Sequence, residues 1–166
     1  MIKAIEEKAE KILELAKVTK VPVDVSDMSR KLDIVVKYAP STEFSGLLYR
    51  KDGKAFMAIN SKDPEVRQRF TMAHELGHFF LHPQKDTFVE FRDSGTNSPR
   101  SLKEIQANQF AAALLMPRKN LLKDIVSYQE TGITDKAIQA LAERYQVSEE
   151  SMNYRLRNLN SIRSTH

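Results

Sequence analysis

Residues His74-Glu75-Leu76-Gly77-His78 form an H-E-x-x-H run. On an α-helix a spacing of four is just over one turn, so both imidazoles leave from one face and two nitrogens can grip a single ion at about 2.0–2.1 Å each. Glu75 is rotated by about 100° from His74. That removes it from the ligand pair but lets it reach a water on the open side of the ion as a general base. With four histidines in 166 residues, such a run is expected by chance only about 0.007 times at this composition. The chain has no cysteine, which excludes a disulfide framework, a thiol nucleophile, an iron–sulfur cluster and any zinc site built on thiolates. A metal here must rest on His, Asp or Glu.

A catalytic zinc takes three protein ligands and leaves the fourth position to water. His82 continues the spacing of four, yet it stands eight residues, about 12 Å, along the helix from His74 and cannot share one ion with both other histidines. Its expected roles are support of a ligand from outside the coordination sphere, capping of the helix C-terminus, or a place on the surface. The nearby carboxylates are Asp86, Glu90 and Asp93 in a polar stretch and Glu104 on the following helix. Glu104 is favoured because it sits on a regular element, which holds a ligand more accurately than a loop does. Ala107, Ala111 and Ala112 after it let that helix approach closely. The competing reading is local: Ser101-Leu102-Lys103-Glu104 fits a capping box, in which Glu104 merely bonds back to a free amide.

The elements that must position these residues can be read along the chain. Ile5, Ala9, Ile12 and Ala16 recur at helical spacing among Lys and Glu, predicting an amphipathic helix over 2–17 that ends before Pro22. A short helix at 25–31 leads to the β-branched strand Ile34–Tyr38, then to strands 44–50 and 54–60 joined through Asp52-Gly53, a pair suited to a tight hairpin turn. Asp63-Pro64 marks the start of the motif helix and Pro83 its end. Residues 84–100 read as a loop. The next helix begins at residues 98–101 and runs to Pro117, and three more helical segments are expected near 118–129, 134–145 and 149–159. The fold class is α+β, with a small, largely antiparallel sheet. Residues 1–117 are expected to form the core and 118–166 a C-terminal helical segment packed as part of one domain.

The runs Arg69-Phe70-Thr71-Met72-Ala73-His74-Glu75-Leu76-Gly77-His78, Glu104-Ile105-Gln106-Ala107-Asn108-Gln109-Phe110-Ala111 and Leu114-Leu115-Met116-Pro117 resemble the ImmA/IrrE family of zinc metallopeptidases over roughly residues 20–120. The resemblance implies a zincin-like fold with His74, His78 and Glu104 as Zn2+ ligands and Glu75 as catalytic base. It also implies that Asn108 orients a ligand or supports the packing of the helices. The partner it implies is a protein substrate of the helix-turn-helix repressor or antitoxin type, taken in extended form along an edge strand, for which Ala55–Asn60 is the expected candidate. An oxyanion donor is also required; Tyr38, Tyr49, His82 and Arg92 are the candidates.

Residues 138–159 have the outline of a helix-turn-helix, with Arg155 and Arg157 on the second helix. A DNA-binding regulator is therefore one alternative to the peptidase. The segment 134–166 carries five basic and four acidic residues, a thin positive footprint for a DNA-reading face, so direct contact with nucleic acid is not expected. A second alternative is a zinc-binding toxin or regulator of a toxin–antitoxin pair that does not cut protein. The net charge of +4 tolerates an acidic partner without requiring one. The charged N-terminus and the absence of a long apolar run lead to the expectation of a cytoplasmic protein without a membrane span.

Overall fold

The computed structural model describes residues 1–91 and 100–163, with side chains as far as Leu159. In chain order the elements are α1 (Ile2–Leu15), α2 (Val25–Lys31), β1 (Ile34–Ala39), β2 (Phe44–Lys51), β3 (Lys54–Asn60), α3 (Glu65–Leu81), β4 (Thr87–Phe91), α4 (Leu102–Leu115), α5 (Arg118–Ile125) with a 3-10 turn at Val126–Tyr128, α6 (Asp135–Tyr145) and α7 (Glu149–Arg163). This is the expected α+β class. None of the described helices is long and apolar enough to cross a membrane.

The four strands lie in the order β1-β3-β2-β4. β1 runs parallel to β3, and β2 is antiparallel to both β3 and β4. The β2–β3 hairpin turns at Asp52 and Gly53, both at positive φ (52° and 75°), as the Asp-Gly pair predicts. Two expectations fail here. Residues 87–91 are a strand within the stretch read as a loop. The alternation Thr87-Phe88-Val89-Glu90-Phe91, with Phe88 buried between exposed Thr87 and Val89, carries the period of two, which the surrounding polar residues obscured. Nor is Ala55–Asn60 an edge: β3 is hydrogen-bonded on both sides, and the sheet ends at β1 and β4.

α3 crosses one face of the sheet, and its inner side closes over the buried Leu48, Met57 and Ile59. Gly46 on β2 allows this approach, since a Cβ there would stand 2.4 Å from Thr71 Cγ2. α4 is apolar nearly all round, as Phe110 to Leu115 require, and is buried between α1, α3 and α7.

The C-terminal helices are fastened to this body by polar groups. Arg155 of α7, almost fully buried, makes a two-pronged ion pair with the buried Glu6 of α1 (Nη1 to Oε2 2.7 Å) and donates through Nε to the Met116 carbonyl at 3.1 Å. Removing one partner strands a buried charge, which typically costs about 3–5 kcal/mol, whereas replacing both by apolar groups is often close to neutral. Glu6→Leu is therefore expected to lower unfolding stability by about 3–5 kcal/mol, and Glu6→Leu with Arg155→Met to recover most of the loss, as read from urea unfolding. Equal losses in the single and double variants would contradict the pairing.

Candidate metal centre

His74 and His78 sit in the buried middle of α3 on the side that faces α4. The two helices meet at Gly77, where a Cβ would lie 3.0 Å from both Cα and carbonyl oxygen of Ala107. That contact brings Glu104, one turn before Ala107, over the two imidazoles. Ser101 Oγ accepts from the Glu104 amide at 3.3 Å and caps α4. The Glu104 carboxylate does not complete the capping box; it reaches His74 Nε2 at 3.0 Å and His78 Nε2 at 3.1 Å. The two Nε2 atoms are 3.1 Å apart. His74, His78 and Glu104 thus form a triangle of donor groups, in which each imidazole nitrogen lies within 3.1 Å of the other and of one of the two carboxylate oxygens. For ligand bonds of about 2.0–2.1 Å in a tetrahedral arrangement the donors would stand about 3.3 Å apart. The residues fit a metal ion, and a nitrogen–nitrogen–carboxylate set of this kind suits zinc and its first-row neighbours.

Around the triangle, His74 Nδ1 donates to Asn108 Oδ1 at 2.8 Å, which turns its Nε2 lone pair toward the centre. His78 stacks on Phe88 of β4, with ring centroids 3.9 Å apart at 10°. His82 is buried with Nδ1 2.9 Å from His78 Nδ1 and Nε2 2.8 Å from Gln106 Oε1. Its side chain therefore touches a candidate ligand and not the centre, while its backbone closes α3. Glu90 of β4 stands 3.3 Å from His74 Nε2, beside the triangle and outside it. Gln106 and Glu90 are new to this picture. Gln106 stands two positions after Glu104, about 200° round the helix, so no spacing pointed to it; Glu90 required the strand that the sequence concealed.

Glu75 is fully buried, a Cβ at Gly46 would stand 3.5 Å from its Oε1, and both its carboxylate oxygens have no hydrogen-bond partner among the described residues. Burial pushes it up to about 8; the His74 charge opposes this, and Glu90 and Glu104 add to it. Burial also works against a charged His74, but hydrogen bonds to Glu104 and Glu90 outweigh it and raise that imidazole to about 10. His78 is lowered, mainly by burial. Burial opposes the Glu104 carboxylate too, yet hydrogen bonds from the two histidines hold it well below the usual carboxylate range.

A cleft of about 720 Å³ opens on His74. Glu90, Phe70 and Asn108 line it from the catalytic side, and Tyr154 and Arg157 of α7 from the other. The two arginines that made residues 138–159 look like a DNA reader are thus placed otherwise: Arg155 is buried on Glu6 and Arg157 faces this cleft. Of the expected oxyanion donors, Tyr38 lines a separate hollow with Glu65 and Arg69, and Tyr49 packs beside Phe56 at 6.3 Å and faces a third hollow. Neither lines the cleft. Arg92, Asp93 and His166 lie outside the described residues.

The IrrE N-terminal-like domain model of the peptidase M78 family matches residues 29–157. The chain belongs to this family. It is 35% identical over 99 residues to the radiation response metalloprotease IrrE of Deinococcus radiodurans, 59% of this chain and 29% of that protein. It is 35% identical over 80 residues to the metallopeptidase ImmA of Bacillus subtilis, 46% of this chain and 44% of that one. An immunity region protein of Bacillus phage phi105 is 38% identical over 69 residues, 42% of each chain. The chain therefore spans well under half the length of these relatives, and the family resemblance read from the three sequence runs is confirmed.

Two measurements test the geometry. Gly77→Ala should destabilise the fold by about 1–3 kcal/mol through overpacking against Ala107, although alanine is the better helix former, and should weaken metal uptake; a stabilised variant with unchanged affinity would contradict the contact. A ligand imidazole must be neutral, and His74 at about 10 holds its proton throughout the neutral range. A cation must displace that proton, so apparent affinity should rise by up to about tenfold per pH unit as pH increases below that value, measured by chelator competition. A flat profile would contradict the assignment.

Proposed function

We propose that this chain is a cytoplasmic zinc endopeptidase in which His74, His78 and Glu104 hold the metal and Glu75 is the general base. Residues 1–117 form its catalytic core, and 118–166 close one side of its cleft. The observation that carries the reading is the triangle of donor groups beside a buried carboxylate that no group among the described residues satisfies. Family membership and relatives named as metalloproteases support it.

Zinc bound by these residues would polarise the scissile carbonyl and lower the pKa of water from 15.7 to about 7. Glu75 accepts the proton of the attacking water. Its raised pKa suits that transfer near neutrality, and the same carboxyl then delivers the proton to the leaving amine. Asn108 holds His74 in the tautomer a ligand requires. β4 offers its unpaired edge at the cleft, and a peptide laid against that edge passes between Glu90 and the α7 side chains Tyr154 and Arg157. Pairing with that edge requires the peptide to be extended, which fits a protein target cut at one place.

The target class we assign is a helix-turn-helix repressor or antitoxin-like regulator. The metalloprotease names of IrrE and ImmA, and the immunity-region name of the phage relative, support a protein substrate. The test is incubation of the zinc-loaded protein with helix-turn-helix regulators from the same genome. The native chain should cut one of them once, and Glu75→Gln should bind zinc with near-native affinity while cleaving at least 10²–10⁴-fold more slowly. Cleavage that survives in Glu75→Gln would remove Glu75 from the mechanism. Full biological effect without cleavage would make the chain a metal-dependent regulator.

A further inference from the structure

We propose that Gln106 and His82 form a two-step hydrogen-bond relay that fixes the tautomer of His78 and so aims its Nε2 lone pair at the metal position. Both are positioning residues. The inference deepens the reading of His74, His78 and Glu104 as a metal site and rests on it.

The relay follows from what each atom is able to do. An amide oxygen only accepts. Gln106 Oε1 lies 2.8 Å from His82 Nε2, so that nitrogen carries the hydrogen. A neutral imidazole has one N–H, which leaves His82 Nδ1 as a lone pair. That atom lies 2.9 Å from His78 Nδ1, where two lone pairs would repel. His78 Nδ1 therefore carries the hydrogen and donates it. What remains on His78 is the Nε2 lone pair, 3.1 Å from both His74 Nε2 and Glu104 Oε1. The orientation of the Gln106 amide agrees with this, since its Nε2 faces Met1 Sδ at 3.6 Å, an acceptor.

Other groups hold the parts of the relay in line. Phe88 fixes the plane of the His78 ring by stacking, which leaves the tautomer as the one freedom still to be set. Arg50 of β2 donates to the carbonyls of Phe79, His82 and Lys85 and anchors the end of α3 where His82 sits. His74 needs no such relay, because Asn108 accepts from its Nδ1 directly. Both terminal acceptors, Gln106 and Asn108, lie on α4 within four residues of Glu104. One helix thus supplies the carboxylate ligand and the polarity of both histidine ligands.

The test uses the full chain with three substitutions at half-buried Gln106 and two readouts. Gln106→Glu keeps an acceptor, Gln106→Leu removes it, and Gln106→Lys offers only a donor, which would reverse the relay and place a hydrogen on His78 Nε2. Zinc affinity, measured by chelator competition, should stay within a few fold of native in Gln106→Glu and fall about 10–100-fold in Gln106→Leu, and at least as far in Gln106→Lys. Nitrogen-15 NMR of the metal-free protein should show His78 protonated at Nδ1 in the native chain and in Gln106→Glu, with that state lost in Gln106→Lys. Circular dichroism separates these effects from unfolding, and the glutamate–lysine pair decides the matter if the leucine variant does not fold. Native zinc affinity together with an unchanged His78 tautomer in Gln106→Lys would overturn the relay. A native chain that binds no zinc would instead overturn the metal site, while the NMR comparison still decides the relay.

Discussion

The centre depends on how closely two helices approach. α3 carries two imidazoles on one face because a spacing of four nearly closes a helical turn, but two ligands do not make a catalytic zinc site. The third must come from another element, held to within a fraction of an ångström. Gly77 against Ala107 supplies that constraint, with no side chain on α3 and a single methyl on α4 at the crossing. Larger side chains at either position would carry Glu104 away from the histidines. The packing around it follows from this crossing: the second half of α4, Phe110 to Leu115, is buried, and α1, α3 and α7 are the surfaces that bury it.

Burial then sets the chemistry. The interior that makes the approach tight also strips water from Glu75, which no donor among the described residues compensates. A carboxylate left in that state is an expensive feature in a core. It is explained when the group's partner is the reacting water. The histidines, by contrast, are satisfied at every ring nitrogen, two of them through α4 amides. Hydrogen-bond direction and charge are thus arranged so that the lone pairs converge on one point and the unsatisfied Glu75 carboxylate lies beside it.

Much of this was legible in the sequence because it is local. The H-E-x-x-H spacing, the Asp52-Gly53 turn and the small residues of α4 each state their structure within a few positions. What the sequence concealed depends on distant contacts. β4 hides within a polar stretch because an edge strand of five residues with only Phe88 buried shows little apolar signal. The edge role passed from β3 to β4 for the same reason, since strand order is set by pairing between distant segments, here Leu48 of β2 with Phe88 of β4. Arg155 and Arg157 looked like one basic face, yet two positions on a helix point in different directions: Arg155 goes to Glu6 in the interior and Arg157 to the cleft. Tyr49 packs beside Phe56, and Tyr38 lines a hollow with Glu65 and Arg69 near the start of α3, so neither reaches the centre.

The central claim is that two nitrogens of α3 and one carboxylate of α4 hold a single metal ion. X-ray absorption of the zinc-loaded protein reads this directly. The account predicts one zinc per chain with two imidazole nitrogens and oxygen ligands at about 2.0–2.2 Å, and loss of one oxygen scatterer in Glu104→Ala with both imidazoles retained. A spectrum with one imidazole or three, or a ligand shell unchanged in Glu104→Ala, would contradict it.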